Sequence, residues 1–233
     1  MTTPLRAVLF DLDGTLIDSA PDLAGACNEM RVERGLEPLP YAELRRMVGS
    51  GARGMVGASF GLLPGDAGYE LLRDEFLVRY EARMTRETRV FDEMLPVLAW
   101  LAAERMPWGI VTNKATRFAA PLVASLGLAG TVATLICGDT VGHAKPHPAP
   151  LLEAARRLAL APGECVYVGD DRRDVDAGRA AAMRTVVAGW GYLGAGDAPA
   201  AWGADHLIAR PEELPGLLGA VSNARRRASP APR

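Results

Sequence analysis

The sequence predicts an α/β protein in which a parallel sheet is covered on both faces and a helical insertion follows the first strand. Short apolar runs rich in β-branched residues recur at 7–10, 108–112, 134–137, 165–169 and 184–189, with a weaker sixth at 206–209. From the second run onward, helix-period segments at 116–126, 149–159 and 174–182 separate them. Strands alternating with helices in this way are the pattern of a parallel sheet. The interval from 18 to 105 differs, carrying helical periodicity with no convincing strand. That is too much chain for one crossover connection.

Taken in order, the first strand is "AVLF", followed directly by "DLDGTLIDS". Candidate helices at 22–34, 41–48 and 66–84 are broken by "GLEPLP" and "GLLPGDAG", and a fourth at 92–104 returns to the sheet. The expected organisation is a core built from 1–18 and 87–221 and a helical insertion over 19–86. The closing "SNARRRASPAPR" (222–233) is basic and proline-rich without apolar periodicity, and is expected to be a flexible tail.

A chain of 233 residues, 49% hydrophobic and 23% charged with a formal net charge of -2, can bury a sizeable core. It lacks the bulk basicity that binding a phosphate backbone requires, so nucleic acid is not an expected partner. The apolar run near the start is too short for a signal peptide and no stretch approaches a membrane span, so a cytoplasmic protein without membrane contact is expected. Cys27, Cys137 and Cys165 are odd in number, far apart and without zinc-type spacing, which makes them small core residues. Of 26 basic residues only Lys114 and Lys145 are lysines. A compact ammonium is not reproduced by a planar guanidinium, which draws attention to those two positions.

Ligands of parallel α/β sheets bind beyond the carboxyl ends of the strands. Here those ends carry Asp11 and Asp13 on the first strand, Thr112 and Asn113 on the second, and Asp170, Asp171 and Asp174 on the fourth. Lys145 sits in "HAKPHPAP", a proline-pinned loop ahead of a helix. Several carboxylate oxygens suit Mg²⁺, which commonly shares its shell with a phosphate. An ammonium, a threonine hydroxyl and backbone N–H groups suit the phosphoryl oxygens. One carboxylate of such a set can attack phosphorus and form an acyl-phosphate.

In order and spacing, "DLDGTLIDS", "VTNK", "AKPHP" and "GDDRRD" resemble the four motifs of the haloacid dehalogenase superfamily of phosphohydrolases, a match covering nearly the whole chain. The resemblance implies a Rossmann-like sheet core with an α-helical cap between the first and second motifs. It also implies Asp11 as nucleophile, and Asp13 as the general acid that protonates the leaving oxygen and then deprotonates water. Thr112 and Lys145 are implied as holders of phosphoryl oxygens with Asn113 near them, and Mg²⁺ on Asp11, the backbone carbonyl of Asp13, and Asp170. Asp174 is implied as a partner of Lys145 or of a metal-bound water, and Asp171 occupies a variable position. Gly14 is expected to permit close backbone approach and Thr15 to orient the loop. Asp18, seven residues past the nucleophile, is expected to cap the next helix.

"GSGARG" (49–54) matches a dinucleotide-binding fingerprint literally, but the preceding "YAELRRMV" has helical spacing instead of a strand. Within a cap this segment is expected to bring Gly51 and Arg53 to an anionic part of the substrate, or else to be a plain interhelical turn. His143 and His147 flank Lys145 without acid or cysteine at ligand spacing, and read as loop-ordering residues.

Among superfamily chemistries, the second aspartate of the first motif argues against dehalogenation. The absence of lysine before residue 114 argues against a Schiff-base phosphonatase and tells against a β-phosphoglucomutase-type mutase, which remains an alternative with a non-catalytic module on the same fold. The expected activity is a Mg²⁺-dependent phosphomonoesterase acting on a small phosphate ester. "VTNK", "KPHPAPL" and "AGWGYLG" resemble the phosphoglycolate phosphatase branch. "GSGARGMV", "WGIVTNKATRFA", "GDDRRDVDAGRAA" and "WGAD" are similar to a sub-branch acting on N-acetylmuramic acid 6-phosphate.

Overall fold

A computed structural model describes residues 4–194 and 196–223. The chain begins with β1 (Ala7–Phe10), every residue of which is buried, and a tight loop leads to the two-residue strand β2 (Ile17–Asp18). Four helices follow: α1 (Ala20–Glu33), α2 (Tyr41–Met47), α3 (Gly51–Phe60) and α4 (Tyr69–Arg83). The chain returns through β3 (Arg89–Val90), antiparallel to β2 with Ile17 opposite Val90. Then come α5 (Met94–Ala103), β4 (Trp108–Val111), α6 (Thr116–Ser125), β5 (Thr134–Ile136) and α7 (Ala149–Arg157). Next are β6 (Cys165–Gly169), α8 (Arg172–Ala180), β7 (Arg184–Ala188), β8 (His206–Ile208) and α9 (Glu213–Asn223).

Six strands form one parallel sheet in the order β5-β4-β1-β6-β7-β8. The first strand is central because it is apolar on both faces: Val8 and Phe10 pack into the larger core cluster, while Ala7 and Leu9 pack into a second one with Leu151 and Tyr167. Burying a side chain the size of Leu9 or Phe10 contributes roughly 1.5–3 kcal/mol.

The two crossings between the sheet and α1–α4 are tied together by Asp22. This fully buried carboxylate accepts from the backbone N–H of Glu87 (3.0 Å) and Thr88 (2.8 Å) and from the Thr88 hydroxyl (2.8 Å). Arg83 lies against it and reaches Glu29 (2.6 Å) and Glu87 (3.0 Å), so the buried charge is both paired and hydrogen-bonded.

The expected strands and most helices fall where the pattern put them, with three departures. Residues 51–60 form α3, although 49–54 reads as a loop and 55–60 has no assigned element, because Gly54 is a close-packing position and not a breaker. A Cβ there would lie 2.5 Å from Ser50 Cβ and 2.8 Å from the Met47 carbonyl oxygen. The β2/β3 ribbon was not anticipated, two-residue strands being too short to show alternation. The last helix α9 was also missed and runs through Asn223, so 222–223 are helical; the rest of the expected flexible tail, 224–233, lies outside the described residues. All three cysteines are free and buried, and no described helix is long and apolar enough to cross a membrane.

Candidate active site

Asp11 follows β1, Thr112 and Asn113 follow β4, and Asp170 follows β6. Because β1 lies between β4 and β6, these ends converge where the strand order reverses, the crevice in which open α/β sheets bind ligands. The loop after β1 turns sharply at Gly14 (φ +84°). A Cβ at that position would lie 2.2 Å from Asp170 Oδ2, so no other residue lets the loop pass so close to this carboxylate.

Lys145 enters from the loop ahead of α7. The three hydrogens of its ammonium are shared among four acceptors within reach: Asp11 Oδ1 (2.8 Å), Asp174 Oδ1 (2.7 Å), the Val111 carbonyl (3.0 Å) and the Tyr167 hydroxyl (2.6 Å). Burial works against its charge, but Asp11 and Asp174 outweigh that and raise its pKa above the usual lysine value. Asn113 fixes this loop from both sides: its side-chain amide donates to the Lys145 carbonyl (2.9 Å) and accepts from the Lys145 N–H (2.8 Å). Asn113, expected beside the phosphoryl group, thus also clips the Lys145 backbone, with one amide hydrogen left over.

Asp11, Asp170 and Asp174 offer oxygens within 4.8 Å of one another. Burial raises the Asp11 carboxyl to about 6, with Lys145 opposing and Asp174 and Asp13 adding to the rise. Burial, then the charges of Asp11 and Asp174, raise Asp170 well above the ordinary carboxylate range. Asp174 accepts from Lys145 on Oδ1 and from the Asp171 N–H (3.0 Å) on Oδ2, where a lone pair remains. Asp170 accepts one bond per oxygen, from the Thr15 hydroxyl (2.9 Å) and the Tyr192 N–H (2.6 Å), which leaves lone pairs on both. One lysine against three close carboxylates, with hard oxygen donors still available on Asp11 and Asp170, fits a small divalent cation such as Mg²⁺.

On the opposite side Lys114 holds Asp13, donating to both carboxylate oxygens (2.9 and 3.0 Å) while resting over the Tyr80 ring. Thr112 is buried, and its Oγ1 accepts from the Lys114 N–H (3.1 Å), so its own hydrogen remains for a ligand. These groups line a cleft of about 380 Å³ between the strand ends and α1, α3 and α4, with Leu23, Phe76, Leu77 and Phe118 as an apolar wall and Arg117 at its side.

The profile of haloacid dehalogenase-like hydrolases matches residues 8–188 of this chain. The chain belongs to the haloacid dehalogenase-like hydrolase family. It is similar to the N-acetylmuramic acid 6-phosphate phosphatase of Pseudomonas putida, with 44% identity over 90% of this chain and 94% of the relative. It is also similar to the phosphoglycolate phosphatase of Xanthomonas campestris, with 47% identity over 90% of this chain and 94% of the relative. In fold it resembles a solved haloacid dehalogenase-like hydrolase from Streptococcus pneumoniae, with a TM-score of 0.77 and 22% identity over 91% of this chain and 98% of that one.

In this hydrolase the structure gathers Asp11, Asp13, Thr112, Asn113, Lys145, Asp170, Asp174 and Gly51 around one cleft, with Thr15 behind Asp170. It does not bring Arg53 there. Arg53 lines a separate groove with Met47, Gly57 and Leu63, because α3 starts at Gly51 and each residue turns the helix by about 100°, so that Ala52 faces the cleft and Arg53 does not. Asp18 does not cap α1; it lies in β2 and accepts from the Tyr192 hydroxyl (2.7 Å). Asp171 is the N-cap of α8, accepting from the Arg173 N–H (2.8 Å). His143 and His147 stack at 4.2 Å, and His147 Nδ1 accepts from the Ala149 N–H (3.1 Å), consistent with an ordered loop. Tyr167 and Tyr192 escaped the sequence reading because each sits in an apolar or glycine-rich run where nothing local marks its hydroxyl. Lys114 was marked by its rarity and by its place in "VTNK", but was given no role.

Proposed function

We propose that this chain is a Mg²⁺-dependent phosphomonoesterase that works through an aspartyl-phosphate on Asp11, with helices α1–α4 as a cap over the cleft. The observation that supports it best is Asp11 oriented by Lys145 beside Asp170 at the reversal of strand order. The Asp11 carboxylate attacks phosphorus as the ester P–O bond breaks, and Asp13 gives its proton to the departing oxygen. Asp13 then takes a proton from a water that attacks the same phosphorus and frees Asp11. Thr112 and Lys145 hold phosphoryl oxygens. Asp11, the Asp13 carbonyl and Asp170 would hold Mg²⁺, which supplies neutralisation of charge on the transferring group.

The substrate we favour is a phosphorylated amino sugar that also carries a carboxylate, such as N-acetylmuramic acid 6-phosphate. A cleft of about 380 Å³ with an apolar wall has room for a ring and an acetamido group, far more than 2-phosphoglycolate fills. Among the cations lining it, Lys114, Lys145 and Arg173 are paired with carboxylates, whereas Arg117 rests over the Phe118 ring and makes no ion pair among the described residues. A free guanidinium suits a substrate carboxylate. The relatives named for phosphoglycolate support that ester as the second reading. The helices α1–α4 contain no lysine, which tells against mutase chemistry. The test compares kcat/KM on the two esters with Mg²⁺ present. A preference for the amino-sugar ester is expected; a preference for 2-phosphoglycolate moves the assignment to the second reading, and no turnover of either sinks both.

A further inference from the structure

We infer that Tyr192 is a positioning residue that couples the start of the helical cap to Asp170, and so tunes Mg²⁺ binding from a distance. The inference rests on the metal site proposed above. Tyr192 is 3% exposed and works from both ends. Its backbone N–H donates to Asp170 Oδ2 at 2.6 Å. Its hydroxyl accepts from the N–H of Ser19 (2.9 Å) and of Ala20 (3.0 Å) and donates its one hydrogen to Asp18 Oδ1 (2.7 Å).

Helix α1 starts without a side-chain cap of its own, and Pro21 has no N–H to offer. The first N–H groups of a helix need partners, and here a phenol more than 170 residues away supplies one. The hydroxyl is saturated, with two bonds accepted and one donated. The point where the chain leaves the sheet for the cap therefore hangs on Tyr192.

The same loop is gripped from two more sides. Arg45, on α2 of the cap, lies over the Tyr192 ring at 4.7 Å and donates to the carbonyls of Trp190 (3.3 Å) and Gly191 (3.4 Å). Trp190 Nε1 donates to the Thr15 carbonyl (3.0 Å), and the Thr15 hydroxyl holds the other oxygen of Asp170 (2.9 Å). Both Asp170 oxygens are thus aimed by donors that trace back to one loop, and that loop is anchored on the cap. A shift of α1 or α2 passes to Asp170 through these bonds. By linkage, a cation that fixes Asp170 biases the cap in return.

The test is calorimetric titration of Mg²⁺ into the substrate-free protein, with thermal melting alongside. Tyr192→Phe keeps the ring and the backbone N–H and deletes only the hydroxyl, which touches no proposed ligand. Asp18→Ala removes the acceptor of that hydroxyl, and Asp18→Asn keeps one. Tyr192→Phe and Asp18→Ala are expected to weaken Mg²⁺ binding by about fivefold, with Asp18→Asn close to wild type. A lowered melting temperature with an unchanged Mg²⁺ dissociation constant in Tyr192→Phe, or in Asp18→Ala should the first variant not fold, overturns the coupling and leaves Tyr192 a structural pin. Absence of Mg²⁺ binding by the wild-type chain overturns the metal site itself.

Discussion

Lys114 places its ammonium on both carboxylate oxygens of Asp13, at 2.9 and 3.0 Å, and rests 4.8 Å from the centre of the Tyr80 ring. Tyr80 belongs to α4, so a residue of the loop after β4 joins the proposed general acid to the helices above it. A two-pronged grip fixes the direction in which Asp13 presents its oxygens. Lys114→Met, which keeps the stem and deletes the charge, is expected to lower kcat by roughly a hundredfold, the lower end of a general acid's contribution, while KM moves less. A variant with raised KM and unchanged kcat would make Lys114 a substrate-binding group instead.

Lys145 is the counter-charge of the cluster, 3% exposed and bonded to Asp11 and Asp174. Removing one partner of a buried ion pair leaves uncompensated charge and costs about 3–5 kcal/mol. Lys145→Met should therefore melt at a clearly lower temperature and lose turnover. Full stability in denaturant titration would show that the cluster tolerates its own repulsion.

The pH dependence of stability follows from Asp11. Its carboxyl titrates at about 6 in the folded chain against 3.8 when unperturbed, burial being the main cause. A folded-state pKa above the unfolded one means that the native state holds a proton the unfolded chain has lost. Stability from this group therefore falls as pH rises through about 4 to 6. Mg²⁺ competes for the same oxygens, so the rise in melting temperature on adding Mg²⁺ should be larger near pH 8 than near pH 5. Equal shifts at both pH values would place the cation elsewhere.

Arg117 reports on the substrate. Arg117→Ala should raise KM for a carboxylate-bearing ester by roughly tenfold to a hundredfold, the value of a charge-assisted hydrogen bond, with a smaller effect on p-nitrophenyl phosphate. Equal effects on both esters would mean that Arg117 senses the phosphoryl group.

Much of this was legible because strand ends are where sequence and chemistry coincide. Asp11, Thr112 and Asp170 each follow a buried apolar run, and four ordered motifs cannot be mistaken for isolated turns. Long-range partners were not legible. Tyr192 meets Ser19 and Asp170 only once β7 has been laid beside β6, and no local pattern records that. Arg53 stood between a substrate contact and a plain turn because the glycines around it read as a loop, whereas Gly54 packs inside α3, which carries Arg53 into a separate groove. Arg117 lies in the stretch "WGIVTNKATRFA", but nothing singled it out within that stretch until the cleft existed around it.

The central claim is that phosphorus passes through Asp11. Acid quenching during turnover of a radiolabelled phosphate ester with Mg²⁺, followed by peptide mapping, tests it most directly. Label is expected on the peptide that carries Asp11, absent from Asp11→Asn, and lost on chase with unlabelled substrate. Label on another residue, or phosphate release that survives in Asp11→Asn, would contradict the account.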